Sequence, residues 1–251
     1  MPLLRPGLCS VTLRALPVEQ VVAVAARTGL EAIEWGADVH APPDDAVAVA
    51  TAVRCTAKAG LAVASYGSYL RLCGDEERHA GVVTAAVALG APRIRVWAGE
   101  RGSAAASAQE RHMVVRGARA LAARAADAGL TVGFEFHGGT LTDTVASTLR
   151  LLEEVDHPAV GTYWQPPQGM PDDEAVEGLR RVAPHVVAVH AFSWWPRAER
   201  HPLTARQELW TRVVAELTTR GVPTDMLLEF VPADDPARVA RDAAARRRLL
   251  A

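Results

Sequence analysis

Short apolar runs alternate with longer segments whose apolar positions recur every three or four residues, from one end of the chain to the other. The short runs predict strands and the longer ones amphipathic helices. Glycine or proline punctuates most of the returns. Leu8–Val11 reads as a strand, followed by a helix over Val18–Arg27 that Gly29 closes. Strand Ala32–Gly36 precedes helix Asp45–Ala59, and strand Leu61–Ser65 precedes a helix around Glu76–Leu89. Strand Arg93–Ala98 leads into the long helix Ala108–Ala128. The remaining strands are Val132–Glu135, Val160–Gln165, Val186–His190 and Met226–Glu229. Helices near Thr142–Val155, Asp173–Val182 and Ala205–Arg220 separate them, and Pro236–Leu249 forms the last helix. Eight strands and eight helices in strict alternation predict parallel strands joined by crossover helices, and eight such units close a barrel. The expected architecture is therefore an α/β fold, a (β/α)8 TIM barrel, with residues 1–251 as a single domain. An open doubly wound sheet is the alternative, but no GxGxxG and no GxxxxGK[ST] follows any strand.

Composition narrows the chemistry. A hydrophobic fraction of 49% is enough for a sizeable core, and a formal net charge of −2 offers no basic face for nucleic acid. Lys58 is the only lysine and falls in a helical pattern, so Schiff-base catalysis has no candidate in a pocket. Cys9, Cys55 and Cys73 are scattered, with no CxxC pair, which argues for a reducing compartment and against a thiolate zinc site. The opening MPLLRPGLCSVTLRALP breaks its apolar residues with charge, unlike a signal peptide. No run is long enough to span a bilayer, so no membrane partner and a cytoplasmic location are expected.

In a closed barrel the C-terminal ends of the strands converge on one face. Four strands of the second half end in Glu135, Gln165, His190 and Glu229. Side-chain alternation puts Glu135 on the barrel side with Gly133 and His137, and sends Phe134 and Phe136 toward the helices. The same rule turns Glu229 inward and Leu228 and Phe230 outward. Oxygen and imidazole ligands without thiolate suit Mn²⁺, Mg²⁺, Co²⁺, Fe²⁺ or Zn²⁺. Gln165 is an amide where a carboxylate would bind a hard cation better. Metal kept with reduced affinity, a different ion, and a metal-free site with Gln165 bonding substrate all remain open.

These strand ends, with GLCSVT near the start, GLEAIEWG at the second strand and LLEF at the eighth, resemble the xylose isomerase-like TIM barrels. That broad family holds sugar (phosphate) isomerases and epimerases and also endonuclease IV. The resemblance covers nearly the whole chain and implies a metal held by Glu135, Gln165, His190 and Glu229 in order. The family's Asp-x-x-His is here Gln165-Pro166-Pro167-Gln168, so both the acid and the histidine are glutamine. The implied chemistry is isomerisation or epimerisation of an unphosphorylated sugar or keto-sugar. Glu135 and Glu229 would pass the proton through an enediolate. Enolisation ending in elimination, as in a dehydratase or keto-glycoside lyase, is the alternative, and a metal-free sugar-binding barrel is another. An endonuclease IV-like nuclease does not fit, because its zinc cluster needs many His and Asp ligands that are missing here.

Aromatic residues at the strand ends suggest a ligand with an apolar face. Trp35, Trp97, Trp164, Trp194, Trp195, Tyr66, Tyr69 and Tyr163 are of this kind. Expected substrate contacts are Glu34, Trp35, Tyr66, Arg95, Trp97, His137, Gln168 and Trp194. His40 matches a substrate-contacting position in similar barrels, and Arg197 and Arg200 follow the seventh strand where related enzymes place a binding arginine. Glu34 is expected to bind a hydroxyl or orient His40, and Arg95 to pair with a pocket carboxylate. The partner is a small carbohydrate or glycoside, and the RRRLL tail reads as a solvated helix face at a possible homodimer contact.

Overall fold

A computed structural model describes residues 3–250. Seven consecutive parallel strands, β1 (Leu4–Cys9), β2 (Ala32–Gly36), β3 (Ala62–Gly67), β4 (Arg93–Val96), β5 (Thr131–Phe134), β6 (Val160–Trp164) and β7 (Val186–Ala191), run around a barrel. A two-stranded hairpin, β8 (Ser193–Trp194) and β9 (Arg200–His201), follows β7. The last barrel strand, β10 (Thr224–Leu228), pairs with β1 from Leu4↔Thr224 to Leu8↔Leu228 and closes the ring. The crossover helices are α1 (Val18–Arg27), α2 (Ala46–Lys58), α3 (His79–Leu89), α4 (Ala108–Asp127), α5 (Val145–Val155), α6 (Asp172–Val182), α7 (Gln207–Thr219) and α8 (Pro236–Leu250). The fold is the expected TIM barrel.

Helix boundaries follow local chemistry. Asp45 accepts from the Ala48 amide at the start of α2, and Thr144 does the same for Ser147 at α5. At α4 a capping box joins Ser107 and Glu110, which satisfies two amide donors that the first turn leaves over.

The barrel interior is filled by few large groups. Cys9, Ala32, Ala64, Ala188 and Leu227 pack there around Tyr163. A Cβ on Gly133 would stand 2.5 Å from the Tyr163 ring, so glycine on β5 is what makes room for this aromatic. Toward the N-terminal ends of the strands, Asp225 accepts from both Arg5 (2.6 Å) and Arg93 (2.7 Å).

Three segments depart from the sequence reading. The first strand begins at Leu4 rather than Leu8, and Ser10–Leu13 turns into a 3-10 helix. Arg5 and Pro6 disguise this strand, yet Arg5 is neutralised by Asp225 and the Pro6 carbonyl accepts from Glu31. The β8–β9 hairpin is too short to leave a periodic signal. The RRRLL tail is solvated only in part: Arg247 and Arg248 are exposed, while Arg246 is buried and Arg247 donates to the Thr28 carbonyl at 2.5 Å, where α8 packs near α1.

Candidate active site at the C-terminal mouth of the barrel

Inward-facing residues on or just past seven strands meet at the mouth. Glu34 on β2 accepts from Ser65 Oγ (2.7 Å) and from Arg95 Nε (2.9 Å). Arg95, on β4, also donates through Nη1 to Glu135 Oε2, and Trp97 Nε1 donates to the same oxygen at 2.5 Å. One buried guanidinium thus ties two buried carboxylates. Gly67 permits this: a Cβ there would come within 2.6 Å of Arg95 Nη2. Beyond Glu135, Gln165 Nε2 lies 3.5 Å from Glu135 Oε1, and Gln165 Oε1 accepts from His190 Nδ1 at 2.9 Å. Glu229 Oε2 is 3.4 Å from the same nitrogen. His190 Nε2, 3.5 Å from Glu34 Oε1, is buried and makes no hydrogen bond.

The electrostatics follow from this arrangement. Burial alone would raise the carboxyl groups of Glu34 and Glu135, but Arg95 and His190 together with the hydrogen bonds each accepts outweigh it and hold both below the usual carboxylate range. Burial likewise opposes charge on His190, and Cys9, Glu229 and Glu34 outweigh it, so its pKa is raised. Burial pushes the Cys9 thiol up.

A cavity of about 490 Å³ opens over this network and is bordered by Glu135, His137, Gln165, Gln168, Glu229 and an aromatic wall of Phe192, Trp194 and Phe230. His137 stacks on Trp97 with ring centroids 4.9 Å apart. Its Nδ1 lies 2.6 Å from the Gly138 carbonyl, which can only accept, so Nδ1 donates and, in the neutral ring, Nε2 carries the lone pair. Another cavity, of about 610 Å³, lies at the first residues of β5, β6 and β7 and touches none of the strand-end residues.

Several expected contacts lie elsewhere. Trp35 and Tyr66 face the helix layer: Trp35 Nε1 donates to Thr56 on α2 (3.2 Å) and the Tyr66 hydroxyl to the Ala41 carbonyl (2.7 Å). Both follow the alternation that turns their neighbours Glu34 and Ser65 inward. Trp164 packs outward against Trp210. His40 is buried with one nitrogen on Ser10 Oγ and the other on the Leu16 carbonyl, both at 3.0 Å, which makes it a loop fastener. Glu34 therefore meets Arg95 rather than orienting His40. Arg197 is exposed in the turn of the hairpin and does not border the cavity. Arg200 instead lies over Phe230 (4.5 Å) and Trp194 (5.3 Å) and pairs with Asp234 at 2.5 Å. Phe230 borders the mouth rather than the helices because its backbone enters the left-handed region (φ 49°), which breaks the alternation after β10. Phe136 borders the cavity as well.

The four residues expected to hold a metal form one run of contacts, with Gln165 3.5 Å from Glu135 and 2.9 Å from His190, and Glu229 3.4 Å from His190. Glu135 is drawn to Arg95 and Trp97, while Gln165 bridges it to His190. Among the His, Cys, Asp and Glu side chains of the described residues, Cys9, His190 and Glu229 form a trio whose ligating atoms lie within 4.8 Å of one another. His190 and Glu229 with a buried free imidazole nitrogen fit a divalent ion. Cys9 was missed because its strand was placed too late along the chain; a start at Leu4 puts it at a strand end beside Glu229 and Glu34.

A model of the xylose isomerase-like TIM barrel matches residues 22–248. The chain belongs to that family. Among curated relatives it is 48% identical over 66 residues to a 3-dehydroshikimate dehydratase of Bacillus anthracis, a stretch of 26% of this chain and 24% of the relative. The match thus spans about a quarter of that protein's length. The crystal structure of the probable 3-DHS dehydratase involved in petrobactin synthesis from B. anthracis superposes with TM-score 0.82 at 21% identity, over 97% of this chain and 98% of that one. D-Allulose 3-epimerase from Methylomonas sp. superposes with TM-score 0.74 at 16% identity, over 100% and 99%. At these identities the two structures speak to the fold alone. The sequence relative is named a dehydratase and the fold neighbours include an epimerase, so the comparisons do not choose between the two reactions.

Proposed function

We propose that this protein is a dehydratase that removes a proton beside a ketone and expels the β-hydroxyl, acting on a small, unphosphorylated, polyhydroxylated cyclic keto-acid of the 3-dehydroshikimate type. The observation that carries this reading is the unequal state of the acid–base groups. Epimerisation by two glutamates needs both to exchange protons, yet Glu135 is held ionised by Arg95 and Trp97. His137, two residues further along, offers a lone pair at Nε2 with its tautomer fixed by Gly138.

In this mechanism His137 Nε2 takes the proton from the carbon next to the ketone, and the C–H electron pair moves into the enolate. Return of that pair breaks the β C–O bond. The leaving hydroxide takes the proton from the His137 imidazolium and departs as water, which regenerates the base. One base thus serves both halves of the elimination. A divalent ion, when bound at His190 and Glu229, supplies Lewis-acid polarisation of the carbonyl. Glu135 contributes fixed negative charge beside His137, and the aromatic wall of Phe192, Trp194 and Phe230 takes the flat ring. Arg200, at the edge of this wall, is assigned to the substrate carboxylate.

The test is to incubate the protein with 3-dehydroshikimate and follow the ultraviolet band of the aromatic ring that loss of water creates. D-Ketohexoses are assayed in parallel for C3 inversion. Dehydration that is lost in His137→Gln supports the assignment. Ketohexose epimerisation without any dehydration would overturn it.

A further inference from the structure

One buried nucleophile at the mouth has no part in that elimination. Cys9 ends β1 between its neighbours β10 and β2, and is wholly buried. Its Sγ, a His190 nitrogen and a Glu229 carboxylate oxygen all lie within 4.8 Å of one another. Bonds from such donors to zinc run about 2.0–2.3 Å, so donors on one ion stand roughly 3–4 Å apart, and small side-chain adjustments bring this trio onto a common centre. A second observation concerns the same imidazole. His190 Nδ1 is committed to the Gln165 carbonyl oxygen, while Nε2 is buried without a hydrogen-bond partner. An imidazole that donates from one nitrogen to a carbonyl and leaves the other bare is oriented as a metal ligand is oriented by its outer partner.

We propose that Cys9 is a metal ligand, completing with His190 and Glu229 a Cys–His–Glu centre that takes Zn²⁺ or Co²⁺ in preference to Mg²⁺, with Gln165 as the residue that orients His190. The proposal accounts for the amide at position 165. Of the strand-end set, Glu135, Gln165 and Glu229 carry only two negative charges, and one of these is spent on Arg95. A thiolate at Cys9 restores the missing charge beside His190. It also changes the character of the site, because sulfur favours zinc-like ions while Mg²⁺ demands oxygen and retained water. On binding, the Cys9 S–H bond breaks, the proton goes to solvent and the sulfur pair forms the metal bond; no redox change is involved.

The inference deepens the dehydratase reading by naming a ligand of its ion, and the experiment separates the two. Full-length protein carrying Cys55→Ser and Cys73→Ser, so that Cys9 is the sole thiol, is stripped with chelator and titrated with Co²⁺. Dehydration of 3-dehydroshikimate is measured separately with stripped and loaded protein. The expected result is near-stoichiometric uptake with a near-ultraviolet sulfur-to-cobalt charge-transfer band. Zn²⁺ should bleach that band, and a large excess of Mg²⁺ should leave it unchanged. Adding Cys9→Ser should abolish the band and weaken Zn²⁺ binding at least about tenfold. Because Cys9 is fully enclosed, the band is read first in the Cys9-containing protein, which needs no core substitution. Co²⁺ uptake without that band would overturn the role of Cys9 while leaving an ion at His190 and Glu229. Absence of any Co²⁺ or Zn²⁺ uptake would overturn the metal centre itself, and turnover by stripped protein would then stand on His137 alone.

Discussion

His137 and Glu135 lie two positions apart on one strand end, yet their surroundings divide the labour between them. The glutamate is enclosed with a guanidinium and an indole N–H; the imidazole is half-open, with one nitrogen tied down and the other free. His137→Gln is expected to lower kcat by about 10²–10⁴ while leaving the circular dichroism and melting temperature unchanged. Acid titration of stability should expose the carboxylates. Glu34 and Glu135 have folded-state pKa values below the ordinary 4.5, so their stabilisation is complete above that pH and is lost as pH falls through the lowered values. Arg95→Met would strand two buried charges at neutral pH, a loss of about 3–5 kcal/mol. That deficit should shrink on acidification, since protonation removes the stranded charges; urea titrations between pH 7 and pH 3 would show the wild-type and variant curves converging. Which residues face the mouth was legible where strand alternation held, as for Glu34, Arg95, Glu135, His190 and Glu229. The same rule, carried through, would have placed Trp35 and Tyr66 against the helices. Trp35→Ala is accordingly expected to destabilise the protein by about 3–5 kcal/mol in thermal unfolding without changing KM.

At the level of elements, alternation of strand and helix made the barrel readable because most of the helices carry an amphipathic stripe and α2, α4 and α5 also carry a side-chain cap. What stayed hidden depends on contacts distant in sequence. Arg5 argues against a strand until Asp225, 220 residues away, neutralises it. The β8–β9 hairpin has two residues a side and no period to detect, and only its packing shows that Arg200 rather than Arg197 reaches the aromatic wall. The interior fit of β5 against β6 can be tested directly. Gly133→Ala drives a methyl into the Tyr163 ring and should cost about 1–3 kcal/mol. Adding Tyr163→Leu should recover part of that loss, so the double-mutant cycle in denaturant should be non-additive.

Taken as a whole molecule, the barrel works as a frame that brings together side chains which no single segment could combine. β1 and β2 supply Cys9 and Glu34, β4 supplies Arg95, and the chain after β5 supplies Glu135, His137, Gln165, His190 and Glu229. The tie from Glu34 through Arg95 to Glu135 bridges the two halves of the barrel. A half-barrel ending after α4 keeps the cation, while the complementary half keeps the base and most of the anions. Neither half alone contains the tie from Glu34 through Arg95 to Glu135. Half-barrels expressed separately and cut between β4 and β5 should each leave a buried charge without its partner, and so should fold only when combined.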